Sequence, residues 1–174
     1  MTGVLDPQAP YLANQERRPF PAQWDFYTDT HKDVAAFCGV RSGKTYGGAE
    51  KFVARIVGDL VAYLEAEGSN DSWRPLGARP MVGRDQPRST YWVIAPTYDL
   101  ARLAWAMARN VLRRLGDLIL HEIDGVVWLK TGILIERKTG SNETQLQGAS
   151  LSGVWIDEVC TIPHESYLQI RNRL

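Results

Sequence analysis

Gly39-Val40-Arg41-Ser42-Gly43-Lys44-Thr45 joins two glycines to a lysine and a hydroxyl residue. Glycines let a backbone turn several N–H groups into one concavity, an anion nest suited to phosphate oxygens. Lys44 would then reach β- and γ-phosphates, and the Thr45 hydroxyl would ligate Mg²⁺. The strict phosphate-loop pattern G-x-x-x-x-G-K-[ST] asks for glycine at position 38; this chain has Cys38, with Gly39 one place late. A chance Ser-Gly-Lys-Thr turn at a helix start is the competing reading. A second chemical group lies about 110 residues on, where Leu151-Ser152-Gly153-Val154-Trp155-Ile156 runs into Asp157-Glu158. An apolar strand ending in two carboxylates could hold a Mg²⁺ shell through Asp157, while Glu158 orients and deprotonates water. Asp-Glu after an apolar run is common by chance; its meaning comes from following the Gly-Lys-Thr element in this order.

Both groups need strands and helices to carry them. Asp33 to Gly39 is a short apolar run ending in glycine, as a buried strand requires. From Lys44 the pattern turns helical: Phe52, Ile56, Leu60 and Leu64 recur every four residues beside Val53 and Val57, until Gly68. Gly47 and Gly48 in its first turns cost about 1 kcal/mol each relative to alanine, which close packing against a neighbouring backbone would explain. Tyr91 to Ala95 predicts a buried strand ended by Pro96. Tyr98 to Leu115 predicts a helix with Leu100, Leu103, Ala104, Met107, Val111 and Leu112 on one apolar face. Leu118 to Ile123, Val126 to Lys130 and Ile133 to Arg137 read as an antiparallel meander turned at Asp124-Gly125 and Thr131-Gly132. Gly153 to Asp157 is a further buried strand, and His164 to Leu174 begins a helix. A short helix is expected around Ala22 to Thr28, after an irregular arm over residues 1 to 21, and a long loop over Ser69 to Thr90. The expected fold is α/β, of the P-loop NTPase (RecA/ASCE-like) kind. It has a mainly parallel sheet covered on both faces plus a small meander, and chemistry at the strands' C-terminal ends.

With 174 residues, 44% hydrophobic and 23% charged, the chain is expected to form one domain, residues 22 to 174. Basic and acidic residues number 20 each, so no global field points to nucleic acid or membrane. Locally, Asn70 to Gly116 holds eight arginines against three acids, either solvated groups or a phosphate-contacting surface. Two cysteines and three histidines give neither a disulfide framework nor a zinc spacing, and a reducing compartment is expected. No run approaches a membrane span, and no signal sequence is visible.

Four stretches together resemble the ATPase half of phage large terminase subunits, the motors that package viral DNA into capsids. They are Pro21-Ala22-Gln23-Trp24, the arginine-bearing phosphate loop, Trp92-Val93-Ile94-Ala95-Pro96-Thr97-Tyr98, and Leu146-Gln147-Gly148-Ala149 running into Trp155-Ile156-Asp157-Glu158. The Ala-Pro-Thr element also resembles a helicase motif, so a helicase-like motor is the nearest rival, and a nucleotide-binding assembly module without hydrolysis is a second. The resemblance implies ATP and Mg²⁺ as ligands and Gln23 at the adenine edge, unless it is only a polar helix-start residue. It also implies that Arg41 acts on the γ-phosphate in cis, the alternative being a solvent-facing loop arginine. Arg137 or Lys138 would be a finger presented to the neighbouring subunit. The implied partners are double-stranded DNA, a capsid portal, a small terminase subunit and further copies in a ring, in the host cell cytoplasm. The family's coupling motif and nuclease domain are expected beyond Leu174, so DNA cleavage is not expected of this chain.

Overall fold

The computed structural model describes residues 21–31, 34–35, 43–68, 87–148 and 150–174, with the side chains of residues 21–24, 66–68, 143 and 145 outside that description. Of the predicted strand from Asp33 to Gly39 only Val34 and Ala35 are described, neither of them in a strand; the rest of it and most of the Ser69 to Thr90 loop lie outside the described residues. Helix α1 is Pro21–Thr28 and α2 is Lys44–Gly68. Strand β1, Ser89–Ala95, leads to α3, Tyr98–Leu112, and a 3-10 segment over Arg113–Leu118. Strands β2 (Ile119–Ile123), β3 (Val126–Leu129) and β4 (Ile133–Thr139) follow, then β5 (Gly153–Ile156) and α4 (His164–Arg171).

Every residue of β1 is buried, as a run of β-branched and aromatic side chains covered on both faces should be. Tyr91 and Val93 enter a core with Phe52, Ile56 and Leu60 of α2 and with Ala104, Trp105 and Ala108 of α3. Trp92 and Ile94 enter a second core with Leu146, Leu151, Ile162 and Ile170. The period-2 alternation of a strand thus assigns each β1 side chain to one of two cores, with α2 and α3 on one face and α4 on the other. Each fully buried Ile or Leu here stabilises the fold by roughly 1.5–3 kcal/mol.

The strands lie in the order β2-β3-β4-β1-β5. β1 pairs parallel with both β4 and β5, whereas β2 with β3 and β3 with β4 are antiparallel. Among the described residues the sheet has five strands and is mixed, where a mainly parallel one was expected. The meander is no separate appendage, because its third strand is itself a central strand. Parallel register sets Ala95 beside Thr139 and Ile94 beside Ile156. The chain segments leaving β1, β4 and β5 consequently share one edge of the sheet, and Asp157 and Glu158 stand on it.

The buried face of α3 matches the expected one at Ala104, Val111 and Leu112 and departs from it elsewhere. Ala101, Ala104, Trp105, Ala108, Val111 and Leu112 are buried, whereas Leu100, Leu103 and Met107 are 38%, 59% and 42% exposed. Both stripes have helical spacing; α3 turns its alanines inward because small side chains let it sit close to α2 and the sheet. Thr97 caps the helix, its hydroxyl accepting from the Leu100 amide at 3.4 Å, as an N-cap threonine does. Strand β5, expected to be buried, is half-buried throughout.

Candidate functional site

Gly43 has φ +78°, a left-handed conformation that glycine adopts without a Cβ clash. The next residue starts α2, so Lys44 and Thr45 occupy the first turn of a long helix, where backbone N–H groups and the helix dipole favour anions. At the other end of the chain, the Asp157 amide donates to the Ile94 carbonyl at 2.8 Å, extending the β1–β5 pairing to the first carboxylate. Glu158 follows with φ 53° and ψ 43°. It alone among the described non-glycine residues has positive φ, at a cost on the order of 1 kcal/mol. Its carbonyl accepts from the Thr161 amide at 3.1 Å and the Thr161 hydroxyl at 2.9 Å. Thr161, which sequence reasoning passed over, helps to hold this turn.

These two termini meet. The Thr45 hydroxyl lies 3.3 and 3.5 Å from the Asp157 carboxylate oxygens, and Lys44 Nζ is 3.0 Å from Glu158 Oε1. Burial raises the Asp157 pKa from its ordinary value, against the lowering effect of the Thr45 hydrogen bond; Glu158 adds repulsion and Lys44 offsets part of it. A half-buried carboxylate facing a hydroxyl is a fit place for a hard divalent cation, which favours the charged form. The Lys44–Glu158 pair, each side chain about one third exposed, is worth only about 0.2–1 kcal/mol. A phosphate can displace it.

The approach of α2 to β5 depends on Gly48. A Cβ there would stand 2.5 Å from Trp155 Nε1 and 2.7 Å from Cε2, and one on Gly47 would meet Tyr27 Cε1 at 3.3 Å. Both glycines thus make room for aromatic side chains and not for a backbone. Tyr27 belongs to α1, which Lys51 fastens to α2: its ammonium donates to the carbonyls of Phe26 (2.7 Å), Tyr27 (3.4 Å) and Asp29 (2.6 Å). The Phe26 and Tyr27 carbonyls are among those a helix C-terminus leaves unpaired, and Asp29 follows just beyond the helix. Burial lowers the Lys51 pKa, partly offset by Asp29.

The remaining predicted residues are placed as follows. Gly39, Val40, Arg41 and Ser42 lie outside the described residues, as does the Gln23 side chain, although Gln23 itself is in α1. Arg137, only 8% exposed, pairs with Asp124 at 3.1 Å. Lys138 is 3.0 Å from Glu136 and lies over the Trp92 ring. A cavity of about 330 Å³ at the end of β4 is lined by Tyr98, Arg137, Lys138, Thr139, Ser141 and Asn142, and none of the four converging residues borders it. Of the arginine-rich middle segment, Arg109 and Arg113 pair with Glu122, and Arg114 with the buried Glu50. These three are engaged within the chain.

Comparison with solved structures finds the ATPase domain of the large terminase of Thermus phage P74-26, with a TM-score of 0.66 and 21% sequence identity over 98% of this chain and 65% of that one. The fold is that of a phage large-terminase ATPase domain. The chain spans just under two thirds of that terminase domain's length. No protein-family model and no curated protein matches the sequence. Among the described residues, no helix is long and apolar enough to cross a membrane.

Proposed function

We propose that this chain is the ATP-hydrolysing motor domain of a DNA-packaging terminase. One observation carries the reading: Lys44 and Thr45 at the start of α2 meet Asp157 and Glu158 at the end of β5. The terminase-like fold supports it. In this reading the amides of Gly39, Val40, Ser42 and Gly43 cradle the triphosphate, Lys44 neutralises its β- and γ-oxygens, and Arg41 adds positive charge at the γ-phosphate. Gln23 hydrogen-bonds the adenine edge. Thr45 and Asp157 would hold Mg²⁺, which supplies charge neutralisation at the phosphates when bound. Glu158, freed from Lys44, orients the attacking water and accepts its proton. Hydrolysis in a homo-oligomeric ring, each copy offering Arg137 to its neighbour, drives double-stranded DNA through a capsid portal with the help of a small terminase subunit, in the host cell cytoplasm.

The test is a pair of substitutions measured by calorimetry and phosphate release. Glu158→Gln should retain Mg-ATP binding while turnover falls at least ~100-fold, and Lys44→Ala should weaken binding itself. Turnover surviving in Glu158→Gln removes that carboxylate from the reaction, and unchanged affinity in Lys44→Ala removes the phosphate-loop assignment.

A further inference from the structure

Arg137 is held by more than one group of its own chain. Its guanidinium meets both Asp124 oxygens, Nη1 to Oδ1 at 3.3 Å and Nη2 to Oδ2 at 3.1 Å. Nη2 also donates to the Tyr98 hydroxyl at 3.2 Å, and the guanidinium stands 4.7 Å from the centre of the Tyr98 ring. The Arg137 amide donates to the Gly125 carbonyl at 2.8 Å. Gly125, at φ +76°, leaves the space that a Cβ would take 3.3 Å from Nη2. The β2–β3 turn and the first residue of α3 therefore close on one side chain. Bidentate pairing and stacking on an aromatic face are the two contacts arginine makes best.

The two sides of the clasp differ in exposure. Asp124 is 72% exposed while Arg137 is 8% exposed, so the acid sits as an outer cover that water can take over. The cavity of about 330 Å³ beside Arg137 gives the guanidinium room to leave. Strand β1 separates β4 from β5, which sets Arg137 ~10 Å sideways from the β5 end at ordinary strand spacing. Arg137 therefore stands apart from the Asp157 and Glu158 of its own chain, which follow another strand.

We propose that Asp124 and Tyr98 are positioning residues that stow Arg137 in the lone subunit, and that the arginine exchanges Asp124 for a neighbouring copy's nucleotide phosphates on assembly. This rests on the reading of Arg137 as the group donated between copies. A competing intrachain contact lowers the fraction of subunits ready to engage and weakens apparent assembly by that fraction. Removing the Asp124 charge therefore makes assembly-dependent turnover easier to reach.

The experiment measures Mg-ATP turnover per subunit of the full chain against protein concentration. Asp124→Asn should lower the half-maximal concentration by about 3- to 10-fold, and Tyr98→Phe, which keeps the ring, by roughly 2-fold. Arg137→Ala should lose the rise with concentration. If Arg137→Ala loses it while Asp124→Asn and Tyr98→Phe leave the half-maximal concentration unchanged or higher, the clasp is structural and only this proposal falls. If Arg137→Ala keeps the rise, or no turnover occurs at any concentration, the donated-arginine reading and the clasp fall together. Tyr98→Phe covers the case in which Asp124→Asn unfolds.

Discussion

Gly48→Ala tests whether the α2–β5 contact sets the site. The added carbon would lie 2.5 Å from Trp155 Nε1 and 3.0 Å from Cζ2, about 1 Å inside normal van der Waals separation. Trp155 cannot simply turn aside, since it packs against Phe52 with ring centroids 6.3 Å apart. Overpacking of this kind costs about 1–3 kcal/mol, and alanine regains about 1 kcal/mol of helix propensity. The net loss is then about 1 kcal/mol, visible as a lower midpoint in urea. Nucleotide affinity should suffer more. Lys44 and Thr45 ride on the same helix one turn earlier, and Thr45 sits only 3.3 Å from Asp157. A displacement near 1 Å separates the two halves of the site, weakening Mg-ATP binding ~10-fold or more by calorimetry. Trp155→Phe in the same chain should restore part of both losses, a coupling of about 0.5–3 kcal/mol in a double-mutant cycle. The reasoning is refuted if Gly48→Ala alone raises the unfolding midpoint and leaves affinity unchanged.

Three further outcomes follow from the packing and the charges. Leu103→Gln and Met107→Gln should change stability by no more than about 0.5 kcal/mol, whereas Ala104→Leu should cost about 1–3 kcal/mol; denaturant titration distinguishes this face from the reverse one. Arg114→Met leaves Glu50, 2% exposed, without its ion-pair partner and should cost about 2–3 kcal/mol, with part of the loss recovered by Glu50→Gln. Burial pushes the Tyr27 hydroxyl from 10.0 up to about 12. The folded state keeps this proton longer than the unfolded chain, so the stabilisation is whole below pH 10 and is lost as pH rises through about 12. Tyr27→Phe should flatten that alkaline decline by on the order of 1–2 kcal/mol. Part of the decline should persist, because burial and the Asp59 hydrogen bond raise Tyr91 as well.

Local periodicity made much of this legible. The four-residue recurrence from Phe52 to Leu64 marked α2 because one helix face alone meets the core. The turn pairs Asp124-Gly125 and Thr131-Gly132 marked the hairpins because few residues adopt those backbone angles. Convergence of Lys44 and Thr45 on Asp157 and Glu158 followed from their order along an α/β chain. The α3 face was misread at Leu100, Leu103 and Met107 because hydrophobicity ranks leucine above alanine, while close approach of a helix to a sheet selects for small size. The parallel partnership of β4 with β1 was hidden, since a strand's sequence does not name a distant partner. The hold on Arg137 was hidden for the same reason: it joins Tyr98, Asp124 and Arg137, which only the assembled sheet brings together. Gly47 and Gly48 announced a tight contact, but nothing nearby named Tyr27 and Trp155 as the bodies pressing on them.

The left-handed backbone at Glu158 places two kinds of selection in opposition at one codon. Glycine or asparagine would occupy that conformation with less strain, so a laboratory screen rewarding only heat resistance should drift away from glutamate there. A screen rewarding phosphate release should keep it. Sequencing the survivors of both regimes would show whether robustness and catalysis draw on the same residue.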